Sequence, residues 1–117
     1  MPTRFVILHH VLSLGEHWDL MLEHEGVLMT WQLPVQPQGP LPLPLSARRI
    51  GDHRVAYLDY EGPVSGQRGF VTRVDHGYLG ITRNESDCVA FSAQGRRLHG
   101  MFAIRHEEGD VWTIEEL

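Results

Sequence analysis

The amino-acid sequence predicts an all-β fold: a small closed or nearly closed antiparallel β-barrel of about eight short strands with a Pro-rich crossover. No window keeps the 3.6-residue apolar period of an amphipathic helix for more than about two turns. Short apolar or alternating runs recur instead, and turn-forming residues separate them. A barrel is favoured over an open sheet because closure leaves no exposed edge strands.

Nine such runs are predicted as strands, and their close spacing predicts that most neighbours pair as antiparallel hairpins. In chain order they cover residues 4–10, 17–23, 27–33, 50–60, 69–75, 78–83, 88–92, 97–105 and 111–115. Turn-forming residues lie between several of them, at 24–26, 76–77, 84–87, 94–95 and 108–110.

Residues 34–46 depart from the strand pattern. This segment contains five prolines: Pro34, Pro37, Pro40, Pro42 and Pro44. Because proline has no N–H to donate to a β-ladder, the segment cannot form a central strand. It is predicted to be an extended surface segment that crosses the barrel.

Length and charge limit the possible functions. A chain of 117 residues is predicted to form one domain, 1–117, with a single core. The net charge of −5 argues against a large non-specific nucleic-acid clamp, since phosphate binding depends on concentrated positive charge. All ten cationic residues are arginine, which excludes a lysine nucleophile and leaves the planar cation best suited to phosphate.

The sequence also indicates where the protein works. No apolar run approaches the roughly 18 residues of a membrane span, and the run at 5–8 is too short for an export signal. The single cysteine, Cys88, cannot form an internal disulfide and is expected to be a buried hydrophobic residue. We therefore expect a cytoplasmic protein with no membrane partner.

The strand at 17–23 carries the most informative residues of the chain. Because alternate side chains of a strand point to opposite faces, His17 and Asp19 share one face, and the other face is apolar, with Trp18, Leu20 and Leu22. Pairing this strand with the one before it as a hairpin brings His10 close to His17. Two imidazoles and a carboxylate form a ligand set suited to Mn²⁺, Zn²⁺ or Fe²⁺, so the spacing predicts a metal site at His10, His17 and Asp19.

The same region resembles a known family. The run FVILHHVLSLGEHWDLMLEHEG, at 5–26, is similar to the 3′-phosphoesterase domain of bacterial DNA ligase D. Further matching segments lie in order along nearly the whole chain, at 26–28, 31–34, 52–57, 59–62 and 98–102. The resemblance implies a small β-barrel that uses a divalent metal, typically manganese, to trim the 3′ ends of nucleic acid in DNA repair. It implies removal of a 3′-terminal ribonucleoside and then of the remaining 3′-phosphate, with a DNA ligase or another end-joining protein as a partner in trans.

The resemblance also assigns roles to individual residues. His10, His17 and Asp19 match the family's metal ligands, although an insertion of one residue leaves open whether His9 or His10 is the first ligand. His53 matches a histidine at the scissile phosphate. The tyrosine that supports it matches Tyr57, which a strand over 50–60 would place on the same face.

The chain departs from the family pattern at two positions near these residues. Met21 stands where the family has an arginine that holds phosphate, and Gly51 stands where it usually has an acidic residue. The candidates for the missing phosphate contact are Arg48, Arg49 and Arg68.

These departures leave two alternatives to a 3′-end phosphoesterase. One is a binding or regulatory module of the same fold that has lost catalysis. The other is a different metalloenzyme, such as a non-haem iron oxygenase that uses His17, Asp19 and a distal histidine.

Overall fold

The computed structural model describes residues 2–37 and 44–117, and these residues form an all-β structure, as predicted. The strands are β1 (Thr3–Leu12), β2 (Gly15–His24), β3 (Val27–Leu33), β4 (Leu45–Arg54), β5 (Gly62–Pro63), β6 (Phe70–Glu85), β7 (Cys88–Gln94), β8 (His99–Glu108) and β9 (Val111–Glu116). A short 3-10 helix, Val55–Leu58, links β4 to β5. No helix in the described residues has the length and apolar character needed to cross a bilayer.

The strands close into an antiparallel barrel. Eight of them follow one another in the order β1-β2-β3-β4-β9-β8-β7-β6, and β6 pairs with β1 to complete the ring. The two-residue strand β5 adds to the outer edge of β6. The predicted closed barrel is therefore confirmed, with one additional strand.

Two apolar clusters lie on opposite faces of the sheet. On β1, Phe5 and Ile7 point into the barrel, whereas Val6 and Leu8 point outward and are also fully buried. The interior cluster draws on every strand of the barrel and includes Trp31, Phe91, Phe102 and Ile104. The outer cluster consists of Val6, Leu8, Met21, Leu28, Leu58 and Val71, and Val55, Tyr57 and Val64 pack against it. The 3-10 helix and the segment after it therefore cover one outer wall of the barrel.

The predicted strand at 50–60 is wrong at both ends. Strand β4 begins earlier, at Leu45, and ends at Arg54, where the chain turns into the 3-10 helix. The Asp59 N–H donates to the Ala56 carbonyl at 3.3 Å, and Leu58 is buried in the outer cluster. Burial of Leu58 draws the chain back over the sheet and prevents a longer strand.

The predicted turn at 76–77 does not exist. Residues 70–75 and 78–83 belong to one 16-residue strand, β6, which pairs with β1 and β7, and only Gly69 of the two predicted strands lies outside it. A Cβ at Gly77 would overlap the Gln94 carbonyl, so this glycine permits close approach of the neighbouring strand.

The strand predicted at 97–105 starts two residues later in the structure, because a buried carboxylate holds the preceding turn. Asp75 is 3% exposed and accepts the backbone N–H groups of Arg96 at 2.8 Å, Arg97 at 3.1 Å and Leu98 at 2.7 Å. These contacts hold 96–98 out of the β-ladder, and β8 starts at His99.

The Pro-rich segment can be compared with its prediction only in part. Residues 38–43 lie outside the described residues, and β4 begins at Leu45, inside the predicted crossover of 34–46.

Candidate metal centre

The hairpin of β1 and β2 brings together the three residues that the sequence singled out. His10 lies directly opposite His17 in the register of the two strands, and Asp19 follows two residues later on the same face. The strands are joined through Ser13 and Leu14, a shorter connection than predicted. The three side chains lie on the outer face of the barrel, the face that carries the outer cluster.

The donor atoms of this group converge closely. His10 Nδ1 lies 3.2 Å from His17 Nε2 and 3.6 Å from an Asp19 oxygen, and His17 Nε2 lies 3.2 Å from the other Asp19 oxygen. One ligand atom from each residue falls within 4.8 Å of the others. The histidine side chains are 16% and 20% exposed and the carboxylate 4%, so the group is mostly shielded from water but open on one side.

Two further features of the group fit a bound cation. His10 Nε2 donates to the Arg68 carbonyl at 2.6 Å, which leaves the lone pair of Nδ1 directed at His17 and Asp19. Outer contacts of this kind fix the tautomer of metal-binding histidines. Asp19 Oδ1 is buried and accepts no hydrogen bond among the described residues. A divalent cation would satisfy this oxygen, because an unpaired buried carboxylate oxygen is costly.

His9 lies away from this group. Its ring stacks on Trp18 with centroids 4.7 Å apart, and its Nε2 lies 2.7 Å from a Glu16 oxygen. The structure thus places His10, and not its neighbour, beside His17 and Asp19.

A small cavity of about 30 Å³ opens beside the candidate ligands, with room for roughly one water-sized group. Its lining residues are Leu8, His10, Asp19, Met21, His53, Tyr57, Val64 and Val71. His53 comes from β4 and Tyr57 from the 3-10 helix, yet their rings meet edge to face with centroids 5.6 Å apart. The predicted proximity of these two residues is found, although they do not share a strand.

Thr30 is a site residue that the sequence reasoning missed. It is fully buried, and its hydroxyl donates to the Leu28 carbonyl at 3.0 Å. The same oxygen lies 3.0 Å from His53 Nδ1 and therefore accepts the Nδ1 proton. Proton exchange by His53 is thereby directed to Nε2.

These features can be set beside known proteins. Residues 8–106 match the sequence model of the DNA ligase D 3′-phosphoesterase domain. The chain belongs to that family. A curated relative in Mycobacterium bovis, a multifunctional non-homologous end joining protein LigD, is 29% identical over 97% of the chain. A multifunctional non-homologous end joining DNA repair protein LigD of Mycobacterium tuberculosis shows the same identity and coverage. The chain spans 16% of the length of these relatives.

The three arginines that are candidates for phosphate contact, Arg48, Arg49 and Arg68, differ in the contacts that their side chains make. Arg48 donates to Asp110 at 2.7 Å, a bond that lowers the pKa of that carboxyl. The Arg49 guanidinium lies 4.4 Å over the ring of Trp31, a residue of the barrel interior. Both are occupied by contacts outside the cavity.

Arg68 is the candidate nearest to the group of His10, His17 and Asp19. Its carbonyl holds His10, while its side chain donates to Ser65, to the carbonyl at 2.7 Å and to the hydroxyl at 3.0 Å. The guanidinium is exposed and meets no carboxylate among the described residues.

At the position where the resemblance implies a phosphate-holding arginine, the chain has the apolar side chain of Met21. It is 1% exposed, packs in the outer cluster and lines the small cavity with His10, Asp19 and His53. The cavity therefore has one apolar wall and one wall of side chains that could hold a metal.

Proposed function

We propose that this chain is a metal-dependent phosphoesterase that trims 3′ ends of nucleic acid in end-joining DNA repair. Its reactions are removal of a 3′-terminal ribonucleoside and removal of the remaining 3′-phosphate. The observation that carries the proposal is the shared cavity: the convergent donors of His10, His17 and Asp19 adjoin the rings of His53 and Tyr57.

In this proposal His10, His17 and Asp19 hold the metal, with Mn²⁺ as the first candidate and Zn²⁺ or Fe²⁺ as alternatives. The bound ion supplies Lewis acidity to a phosphoryl oxygen. The Arg68 carbonyl keeps His10 oriented through its Nε2 proton, and burial of Asp19 keeps bulk water from competing for its oxygens.

His53 and Tyr57 act on the phosphate from the other side of the cavity. In ribonucleoside removal a water oxygen bonds to phosphorus, the P–O5′ bond breaks, and the leaving 5′ oxygen takes up a proton. His53 is the candidate donor to the developing charge through Nε2, because Nδ1 is held by Thr30. Tyr57 packs against the His53 ring and orients it.

The test is end trimming of a labelled primer–template that carries a 3′-ribonucleotide or a 3′-phosphate. Reactions with Mn²⁺ and with chelator are compared for the wild type and for His10→Ala, His17→Ala and Asp19→Ala. His9→Ala is the matched control, because His9 is the adjacent histidine on the other face of the same strand.

We expect Mn²⁺-dependent trimming that the three ligand substitutions abolish and His9→Ala leaves within about twofold of wild type. Trimming that continues in chelator, or that survives Asp19→Ala, would overturn the assignment of the metal group. Pulldown of the tagged chain from its host tests for a ligase partner, and recovery of no end-joining protein counts against a partner in trans.

The burial of Met21 favours one second candidate, a module of the same fold that binds nucleic-acid ends without cleaving them. Without an arginine at this position the cavity lacks a charge-assisted bidentate contact, a class of bond that contributes roughly 1.5–3 kcal/mol. Mn²⁺ binding and 3′-end binding without turnover of either substrate would establish this second function and exclude the first.

A further inference from the structure

A second, larger cavity adjoins the small one and has no role in the proposed chemistry. It measures about 290 Å³ and lies between the 3-10 helix and β5. Its lining residues are Arg54, Ala56, Tyr57, Tyr60, Pro63, Val64 and Ser65. Tyr57 and Val64 line both cavities, so the larger one opens beside His10, Asp19 and His53.

The larger cavity has an aromatic wall whose orientation is fixed. Tyr57 and Tyr60 meet edge to face with centroids 5.6 Å apart, and the Tyr60 hydroxyl donates to the Pro63 carbonyl. Tyr60 is 36% exposed, so part of its ring is available to a ligand. Fixed aromatic rings bind nucleobases by stacking and are tolerant of base identity.

Polar groups complete the cavity. Arg54 is exposed, and the described residues provide it with no ion pair, whereas Arg4, Arg48, Arg49, Arg73, Arg83 and Arg105 all meet carboxylates. A planar guanidinium stacks on bases and donates to their edges. The Ser65 hydroxyl accepts from Arg68 and keeps its own proton to donate. Apolar walls with a few polar groups are typical of small-molecule sites.

We propose that this cavity binds the sugar and base of the 3′-terminal nucleoside, the leaving group of the first reaction. The proposal rests on the proposed function for the identity of the scissile phosphate. With that phosphate beside His53, the shared wall at Tyr57 and Val64 places the next chemical group, the 5′-linked nucleoside, in the larger cavity. The site therefore selects for a nucleoside leaving group over phosphate alone.

The first experiment measures binding without catalysis. Adenosine 5′-monophosphate, which carries a nucleoside on a single phosphate, is titrated into ¹⁵N-labelled protein with Mn²⁺ and followed by amide chemical shifts. Ribose 5-phosphate, which lacks the base, is the matched ligand. We expect the nucleotide to shift amides at 54–65 and to bind at least tenfold more tightly than the sugar phosphate.

Variants identify the residues that hold the nucleoside. Arg54→Ala is expected to weaken nucleotide binding at least fivefold, and it spares the 3-10 helix because the Arg54 side chain makes no cap hydrogen bond. Tyr60→Leu is expected to act similarly, whereas Tyr60→Phe retains the ring and is expected to bind within about twofold of wild type. Arg83→Ala is the control, an exposed arginine at the far end of β6.

The second experiment compares the two reactions of the enzyme. Arg54→Ala should lower kcat/KM for ribonucleoside removal at least fivefold and leave 3′-phosphate removal within about twofold, because the second substrate carries no leaving nucleoside. Equal binding of the two ligands, or equal loss of both reactions in Arg54→Ala, would overturn the proposal. If the wild type cleaves neither substrate the proposed function fails, and the chemical shifts alone then decide whether the cavity binds a nucleoside.

Discussion

The hydroxyl of Thr30 lies 3.0 Å from Nδ1 of His53 and is itself committed as a donor to the Leu28 carbonyl. Thr30 is therefore an acceptor for His53 in both protonation states of the imidazole. It fixes the ring orientation and leaves Nε2 as the only nitrogen that can exchange a proton with substrate. A fully buried threonine on β3 thus acts as a positioning residue for a histidine on β4.

Thr30→Val should lower kcat for both 3′-end reactions and change KM little. The substitution keeps the shape of the side chain and removes both hydrogen bonds of the hydroxyl, to the Leu28 carbonyl and to His53. The contact to His53 belongs to a class with a net contribution of about 0.5–1.5 kcal/mol, or roughly two- to tenfold in rate. Thr30→Ser, which retains the hydroxyl, should restore kcat. Steady-state kinetics and thermal unfolding are measured for both variants. A Thr30→Val enzyme with wild-type kcat would disprove the positioning role.

Met21→Arg, which introduces the arginine that the resemblance implies at this position, should destabilise this chain. Met21 is packed among Val6, Leu8 and Leu28, so a guanidinium there loses its hydration beside apolar side chains. We expect the free energy of unfolding to fall by about 2–4 kcal/mol. Urea denaturation measures the loss.

Met21→Leu is the matched control for that experiment. A volume-conserving apolar exchange typically costs less than about 1.5 kcal/mol. If Met21→Arg is as stable as Met21→Leu, the guanidinium has reached the cavity and the apolar packing around residue 21 does not exclude it.

The sequence was sufficient to predict the closed barrel and the meeting of His10, His17 and Asp19. These inferences depend on strand alternation and on short hairpins, which are local properties of the chain. Tyr57 shows the limit of such reasoning. A strand over 50–60 predicts its position next to His53, but β4 ends at Arg54, and burial of Leu58 against the outer cluster produces the contact instead.

The features that could not be predicted all depend on contacts between distant segments. Thr30 is 23 residues from His53, and no motif marks a threonine as the partner of a histidine. Arg54 and Tyr60 line a cavity only because the 3-10 helix turns back over the barrel. The sequence predicts that Asp75 lies in a strand. It does not predict that the carboxylate accepts N–H groups from 96–98, because that turn is more than twenty residues away along the chain.

Asp75→Ala should be among the most destabilising polar substitutions in the protein. The carboxylate is 3% exposed and accepts N–H groups from His76 as well as from the turn at 96–98. Its removal leaves the buried Leu98 N–H and three partly buried N–H groups without an acceptor, and we expect a loss of about 3 kcal/mol or more in the free energy of unfolding. Asp87→Ala, at an exposed turn position, is the control. Chemical denaturation that gave the same midpoint for both variants would contradict a structural role for Asp75.

Gly69→Ala should weaken Mn²⁺ binding although residue 69 is not a proposed ligand. Gly69 has a φ of +89°, and an added Cβ would overlap the Val11 carbonyl and lie 3.2 Å from His10 Nε2. The loop would have to move away, and the Arg68 carbonyl that orients His10 moves with it. Loss of a contact that orients a metal ligand typically lowers metal affinity by about 10- to 100-fold.

Gly66→Ala separates this effect from backbone strain. Gly66 also has a positive φ, +72°, but an added Cβ there lies 3.7 Å from its nearest neighbour, Arg68 Nε. Both variants carry the strain of alanine in the left-handed region, and only Gly69→Ala displaces the His10 contact. Isothermal titration with Mn²⁺ should therefore show a loss in Gly69→Ala that is at least fivefold greater than in Gly66→Ala. Equal affinities would mean that the Arg68 carbonyl does not set the orientation of His10.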